Sequence, residues 1–262
     1  MPITASLGAL TYNHSAQTIF SGSRYFPSTT GAGTPYGFYS LGVPNSVLDV
    51  TNSTGYTLEY RVNYTSLTNG SGPIWIGNFN TGFPPTYART FVDSSGRLNF
   101  AFPGTPGASF RTNTGVITNS NWYGVALVFT TTAGTTTITM YVNGNRQNIQ
   151  KNATGSYSNS QTFTSSTFTY NNSVNFSFFP QNQTPSQLVY FDEVRISTVN
   201  RYSGASYTLD TSPFIPDSDT QMLLHFDYST VTGINTPIVD SSQNNIGITN
   251  FGTQANATNY VF

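Results

Sequence analysis

The amino-acid sequence predicts an all-β fold, on its composition, its period-two alternation and its turn chemistry. The 262 residues include 20 Phe, 17 Tyr, 23 Gly and 14 Pro, which together with abundant Thr, Ser and Asn favour strands and turns over helices. Along residues 57–64, Leu58, Tyr60, Val62 and Tyr64 share one face and Thr57, Glu59, Arg61 and Asn63 the other. That is the pattern of a strand with one face in the core and one toward water. Val125, Leu127 and Phe129 run into Ala133-Gly134, and Ile138, Met140 and Val142 run back to Asn143-Gly144. Such pairs tolerate positive φ and reverse the chain tightly, so an antiparallel meander follows.

The remaining elements fall into the same scheme. Leu98, Phe100 and Phe102 alternate as a further strand. Between residues 189 and 196 the alternation breaks: Val189 and Phe191 have odd parity, Val194 and Ile196 even. A regular strand would send these pairs to opposite faces, so either both faces are covered or a bulge sits near Asp192-Glu193, and the bulge is the favoured reading. Loop-like stretches at 28–37, 103–109, 155–166 and 180–187 lie between strand-like runs and read as loops of one domain. All-β sandwiches often reach about 250 residues as a single unit. Residues 1–18 read as an N-terminal arm or an added edge strand, and residues 19–262 as the domain.

Charge is scarce and unevenly placed. Only 7% of residues are charged, yet Asp192, Glu193, Arg195, Arg201, Asp210, Asp217, Asp219 and Asp227 gather between Leu188 and Asp227. Ionised groups are costly to order without partners, so the expected role of Asp192 and Glu193 is structural pairing with Arg195 and Arg201. Asp217-Ser-Asp219 has the Asp-x-Asp spacing of a calcium-binding loop, although two carboxylates supply few of the ~6 to 8 oxygens that calcium takes and turns also favour these residues. Calcium is the one cofactor the sequence admits. A balance of 9 basic against 10 acidic residues, with no basic cluster, argues against nucleic acid as a partner. No run approaches the ~20 apolar residues that span a bilayer, so no membrane insertion is expected. The absence of Cys removes disulfides and thiolate chemistry.

Several stretches carry a family resemblance. Phe20-Ser-Gly-Ser-Arg-Tyr25, Tyr56-Thr-Leu-Glu-Tyr-Arg-Val62, Asn121-Trp-Tyr-Gly-Val-Ala-Leu-Val128 leading to Met140-Tyr-Val-Asn-Gly144, and Tyr190-Phe-Asp-Glu-Val-Arg-Ile-Ser197 with Arg201-Tyr202 and Leu223-Leu-His-Phe-Asp227 occur in order. Together they resemble concanavalin A-like, laminin-G-type jelly-roll domains of the kind found in phage structural proteins. The resemblance covers about residues 19–228 and implies a two-sheet antiparallel jelly-roll sandwich. It also implies that Trp122 is a core residue, and that a calcium ion near the rim is a family habit. Gly124 stands where the family commonly has His, and Tyr228 where it commonly has Gly, so the rim loops are expected to differ from those of relatives.

Catalysis has little to work with. The only glutamates are Glu59 and Glu193, neither in the Glu-x-Asp-x-x-Glu pattern of glycan hydrolases with this fold, and His14 and His225 are isolated. Adjacent Asp192 and Glu193 would face opposite sides of a regular strand and could flank one sugar bond only if a bulge re-aims them. A pair of distant acids such as Asp192 and Asp219 is the remaining hydrolase arrangement. Glycan contact uses aromatic faces beside amides, and Trp75 and Tyr87, in a Gly-, Asn- and Pro-rich segment, are the candidates, against the alternative that they are core. The sequence-level expectation is a non-enzymatic virion structural protein: a capsid decoration, fibre head or tail-associated protein, partnered by other virion proteins and by itself as a homo-oligomer, with cell-surface glycans as further partners. The residues before Arg24 show no secretory signal, so the expected location is the virion surface. The alternative is a secreted or cell-surface carbohydrate-binding lectin module, and the third reading is a glycan hydrolase.

Overall fold

A computed structural model describes residues 3–7, 10–14, 24–25, 38–41, 47, 49–51, 55–64, 66–67, 71–78, 86–101, 108–164, 175–178, 189–210, 212–225 and 239–251. Its strands are Ile3–Leu7 (β1), Leu10–His14 (β2), Arg24–Tyr25 (β3), Phe38–Leu41 (β4), Tyr56–Tyr64 (β5), Ser71–Asn78 (β6), Thr86–Val92 (β7), Leu98–Ala101 (β8) and Ser109–Thr112 (β9). They continue as Trp122–Thr132 (β10), Thr135–Val142 (β11), Asn145–Arg146 (β12), Ile149–Lys151 (β13), Gln161–Thr164 (β14), Asn175–Phe178 (β15), Val189–Ser197 (β16), Thr220–Leu224 (β17) and Ile248–Phe251 (β18). Every strand pairing is antiparallel.

Two sheets form the body. One has eight strands in the order β12-β11-β10-β5-β16-β17, with β14 on β11 and β3 on β16; the other has six, in the order β13-β9-β8-β7-β6-β15. This is the two-sheet jelly-roll sandwich expected of the sequence. Smaller pairs, β1-β2 and β18-β4, complete the described strands. The β1-β2 hairpin falls within the segment expected as an arm or edge strand. Among the described residues no helix is long and apolar enough to cross a membrane.

The core lies between the two sheets and is filled by the alternate residues of each strand. Leu58, Tyr60, Val62, Val125, Leu127, Phe129, Ile138 and Met140 meet Ile74, Ile76, Ala88, Val92, Leu98, Phe100 and Phe110 in one buried cluster. Phe100 and Phe129 pack across the sheets with ring centroids 5.1 Å apart. The Tyr60 hydroxyl, buried among these side chains, shares a 2.8 Å hydrogen bond with Thr90 on the facing sheet, so its polar atom is satisfied.

The turns follow the sequence chemistry. Ala133 and Gly134 join β10 to β11 with φ of 48° and 77°, and Asn143 and Gly144 join β11 to β12 with 49° and 76°. Positive φ at both central residues matches the twist of an antiparallel pair. The bulge expected near Asp192-Glu193 is present: the register of β16 against β5 shifts between Asp192 and Arg195, and Glu193 has φ of 50°. The extra residue lets Phe191 stand opposite Val62 while Ile196 still stands opposite Leu58, so odd and even positions of one strand both align with core positions of its neighbour.

Two expectations need correcting. The strand at 57–64 was read as half-exposed, yet every residue of β5 is buried. Its polar face is covered because residues 198–210 and 212–219 return across the outside of the eight-stranded sheet. Trp122 was read as core, yet it is only partly buried and packs beside Tyr207 against Leu209 of this overlying segment. Its backbone pairs with Asn63, on the strand face that points away from the sandwich interior.

Close packing of the overlying segment also accounts for Gly124. A Cβ built there would stand 2.5 Å from Leu209 Cδ1, so no larger side chain fits beneath Leu209 as it stands. Ala126, Val128 and Tyr141 form the adjoining floor, with Tyr202 and Tyr207 on top. Those two rings stack at 3.7 Å with 9° between their planes. Replacing Gly124 by Ala should destabilise the fold by about 1–3 kcal/mol through overpacking. The Gly124→Ala/Leu209→Ala double variant should lose less than the sum of the single losses, as read by chemical denaturation.

Candidate functional site

Part of the charge-rich segment, residues 198–210 and 212–219, lies over the outer face of the eight-stranded sheet, and it is held there by hydrogen bonds to buried charged side chains of the strands beneath. Arg195 donates from Nε to Glu59 Oε1 at 2.6 Å, with side-chain exposures of 10% and 2%. Register explains the meeting, since β16 places Arg195 directly opposite Glu59 on β5. Tyr202 of the overlying segment donates its hydroxyl to Glu59 Oε2 at 2.7 Å. Burial, and then the Glu59 charge beside it, hold the Tyr202 hydroxyl protonated well above its ordinary range. Burial alone would lower the pKa of Arg195, but adjacent Glu59 outweighs it and the net shift is upward. Removing either partner would leave the other buried without a match.

Arg61, on the same face of β5, is 2% exposed and donates through Nη2 to the carbonyls of Asp210 and Ser212, at 2.9 and 2.7 Å. Phe214 is packed against two guanidinium groups, with its ring centroid 4.8 Å from Arg61 Cζ and 4.2 Å from Arg195 Cζ. Stacking of this kind suits a weakly hydrated planar cation in a dry setting. The strained Glu193 completes the fastening from the bulge: its Oε2 accepts the Phe214 amide and its Oε1 meets His225 Nδ1, both at 2.8 Å.

The expected ion-pair residues are thus placed, with partners other than those anticipated. Arg195 takes Glu59, Glu193 takes His225 and the Phe214 amide, and Arg201 takes Asp217. Asp192 lies opposite Arg61 in register at the start of the bulge. Glu59 and Arg61 were not singled out because they are remote in sequence from the charged segment.

Asp217 and Asp219 do not fit a calcium loop. Arg201 donates Nη1 to Asp217 Oδ2 at 2.9 Å and Nη2 to Oδ1 at 2.6 Å, a bidentate fork. Oδ1 also accepts the Asp219 amide at 3.1 Å and the Thr220 hydroxyl at 2.8 Å. A cation would have to displace an arginine, and among the described residues no group of three or more metal-ligating side chains gathers anywhere. The Arg201 hydrogen bonds hold the Asp217 carboxyl well below the usual carboxylate range. The Asp-x-Asp spacing here makes a side-chain-capped turn.

The other carboxylates with described contacts also hold structure. Asp240 accepts the amides of Leu223, Ser242 and Ile246 and the Ser242 hydroxyl. Asp93 accepts the amides of Ser95 and Arg97 and pairs with Arg97 at 3.7 Å.

The outer face of the six-stranded sheet has a different character. Across four strands the register aligns Phe91, Asn99, Arg111 and Gln150 in one row. The next row on the same face aligns Ser177, Trp75, Arg89, Ala101 and Ser109. Trp75 alternates with the buried Ile74 and Ile76, and Tyr87, opposite Gly77, with the buried Ala88; the side chains of Trp75 and Tyr87 lie outside the described ones. Arg111 donates Nε and Nη2 to Gln150 Oε1 at 3.0 and 2.8 Å, and Nη2 to the Ala153 carbonyl at 3.2 Å. Gln150 is itself held by the Gly155 carbonyl at 2.7 Å. The Arg89 guanidinium lies over the Phe91 ring, 4.6 Å from its centroid. An aromatic ring, fixed amides and oriented guanidinium groups on half-buried strands make a surface suited to polar, hydroxyl-rich ligands.

Residues 37–202, well over half of the chain, match the Laminin_G_3 family of the concanavalin A-like lectin/glucanases superfamily. The chain belongs to this family. Solved structures similar to this Laminin_G_3 chain include a Bacteroides ovatus protein assigned as carbohydrate binding, at 17% identity and TM-score 0.49, covering 89% of this chain and 62% of that one. A heptameric SAP-like pentraxin from Limulus polyphemus aligns at 13% identity and TM-score 0.42, covering 71% of this chain and 80% of that one. The CBM40 of a Ruminococcus gnavus IT-sialidase aligns at 11% identity and TM-score 0.40, covering 65% of this chain and 92% of that one. The chain therefore spans 62% of the length of the Bacteroides ovatus protein. No curated protein matches it.

Two substitutions should separate the buried fastening of this Laminin_G_3 domain from the exposed one. Glu59→Gln leaves the buried Arg195 without its counter-charge and should cost about 3 kcal/mol or more. Asp217→Asn touches a pair whose acid side chain is 47% exposed and should cost under about 1 kcal/mol at neutral pH. Because the Asp217 pKa is lowered by folding, the pair stabilises at and above the unfolded carboxylate range of ~3.9 and its contribution disappears as pH falls through the folded value. The stability gap between wild type and Asp217→Asn should accordingly close on acidification, as followed by urea denaturation at several pH values.

Proposed function

We propose that this domain is a non-enzymatic carbohydrate-binding module that engages glycans on the outer face of its six-stranded sheet. The observation that carries the proposal is the difference between the two outer faces. That of the eight-stranded sheet is occupied by the chain's own residues 198–210 and 212–219, whereas on that of the six-stranded sheet the half-buried Phe91, Arg111 and Gln150 lie in one register row, about the buried Asn99, with none of the described loop segments hydrogen-bonded across them as Tyr202 and Asp210 are across β5. Sugars offer apolar C–H faces to aromatic rings and hydroxyl groups to amides and guanidinium groups, and a rigid sheet holds such groups without an ordering cost at binding. Membership of a superfamily that includes lectins agrees with this reading.

The non-enzymatic part rests on the acids. Glu59 and Glu193 are buried and hydrogen-bonded in the fastening of the overlying segment, and Asp217 is held by Arg201. A general acid or a nucleophile needs access to the sugar bond, and these groups are committed elsewhere.

The virion placement, whether capsid decoration, fibre head or tail-associated, remains a proposal supported by the resemblance of the closing motif alone. So do self-association, an extracellular or particle-surface location, and the division into an arm over 1–18 and a domain over 19–262. Stoichiometric presence in purified particles is the observation that would carry the particle setting.

The glycan proposal is tested on an array of diverse glycans followed by calorimetry. Saturable binding to at least one class is expected, reduced about tenfold or more by Phe91→Ala or Tyr87→Ala, since losing an aromatic anchor typically removes more than ~1 kcal/mol. No reducing ends should be released on prolonged incubation. Silence across the array defeats the binding reading, and reducing-end release that survives repurification defeats the non-enzymatic one.

A further inference from the structure

Arginines in this protein that hold structure through described contacts are mostly matched by carboxylates. Arg195 has Glu59, Arg201 has Asp217 and Arg97 has Asp93. The buried Arg61 is instead capped by backbone carbonyls and stacked on Phe214 beneath the overlying segment. Arg111 fits neither pattern. It is half-buried on an outer sheet face, and its described acceptors are the Gln150 side-chain oxygen and the Ala153 carbonyl, both neutral. Those bonds use Nε and Nη2 and fix the plane of the guanidinium. Nη1 makes no described hydrogen bond. The group is oriented, yet its charge is not offset by any carboxylate among the described residues.

The surroundings extend the same pattern. Two residues along and two strands across on the same face lies Arg89, a second positive charge, stacked on Phe91. Between the two arginines the register places Ala101 and Ser109, two small side chains, with Asn99 beside them. Same-face neighbours along a strand are about 7 Å apart, so no long side chain of these two rows stands between the arginines except Asn99. A preorganised guanidinium in a partly desolvated setting favours a planar carboxylate through charge-assisted hydrogen bonds.

We infer that the outer face of the six-stranded sheet selects glycans that carry a carboxylate, with Arg111 receiving the acid group, Arg89 adding attraction and Phe91 packing on the sugar ring. This rests on the glycan-binding reading above and names the ligand class for the same face. The probes are hexuronic-acid oligomers and sialylated oligosaccharides, each compared with its methyl ester, which keeps the sugar and removes the charge.

Calorimetry should show the acid form binding about tenfold or more tighter than the ester, with affinity falling as salt rises. Arg111→Gln should remove most of that preference. Gln150→Glu, which supplies Arg111 with an internal carboxylate at the loss of the hydrogen bond to the Gly155 carbonyl, should do the same while the protein keeps a cooperative melting transition. Equal binding of acid and ester overturns this inference and leaves the glycan reading standing. Binding of neutral glycans only has the same consequence. No binding of any glycan removes both. Preference for the acid that persists unchanged in Arg111→Gln and Gln150→Glu also overturns the assignment, since the acid group would then be received elsewhere.

Discussion

The buried pair between Glu59 and Arg195 is the constraint around which the rest of the molecule is arranged. β5 is the central strand of the larger sheet, and its outward face carries Glu59 and Arg61, two ionised groups that water does not reach. Such groups are tolerable only if each is matched and hydrogen-bonded. The match comes from β16, which supplies Arg195 through register, and from the segment after it, which supplies the Tyr202 hydroxyl, the Phe214 ring and two carbonyls. The segment and the charges depend on each other: the segment keeps water out, and the charges tell it where to lie. The bulge at Glu193 belongs to the same device, because it brings a second buried carboxylate under the Phe214 amide.

That arrangement has a functional consequence. One outer face of the sandwich is made into interior, a third layer laid over the eight-stranded sheet, and the acids of the closing segment are absorbed into holding it. On the six-stranded sheet Arg111 is oriented by two neutral acceptors, Gln150 and the Ala153 carbonyl, and Arg89 lies over the Phe91 ring. On the proposed reading, structure and recognition are divided between the two sheets. Part of the charge in the charge-rich segment is internal: Glu193 and Arg195 are buried and hydrogen-bonded.

Much of the fold was legible in the sequence, for local reasons. Ala133-Gly134 and Asn143-Gly144 announce tight turns because few residues tolerate positive φ, and the parity break between Phe191 and Val194 announces a bulge because the side-chain period of a strand is two. What stayed hidden depended on distant partners. The polar face of β5 looked solvent-exposed because alternation reports side-chain type and carries no information about a third layer. Trp122 looked like core for the same reason. The partners of Arg195 and Arg201 lie 136 and 16 residues away, and only register and chain path bring them close. The recognition face left still less trace: Phe91, Asn99, Arg111 and Gln150 come from four strands and form no motif. Trp75 and Tyr87 draw attention in the sequence as aromatics in a loop-like context, whereas Arg111, with no carboxylate beside it among the described residues, stands out only once its neighbours are known.

The central claim is that the closing segment is a packed layer of the fold. Native-state hydrogen exchange, read residue by residue, tests it most directly. The Arg201, Tyr207 and Phe214 amides donate to Thr57 Oγ1, the Gly144 carbonyl and Glu193 Oε2, and they should be protected close to the level of the β5 and β10 amides. Exchange of these three amides at the rate of an open surface loop, with β5 still protected, would contradict the account.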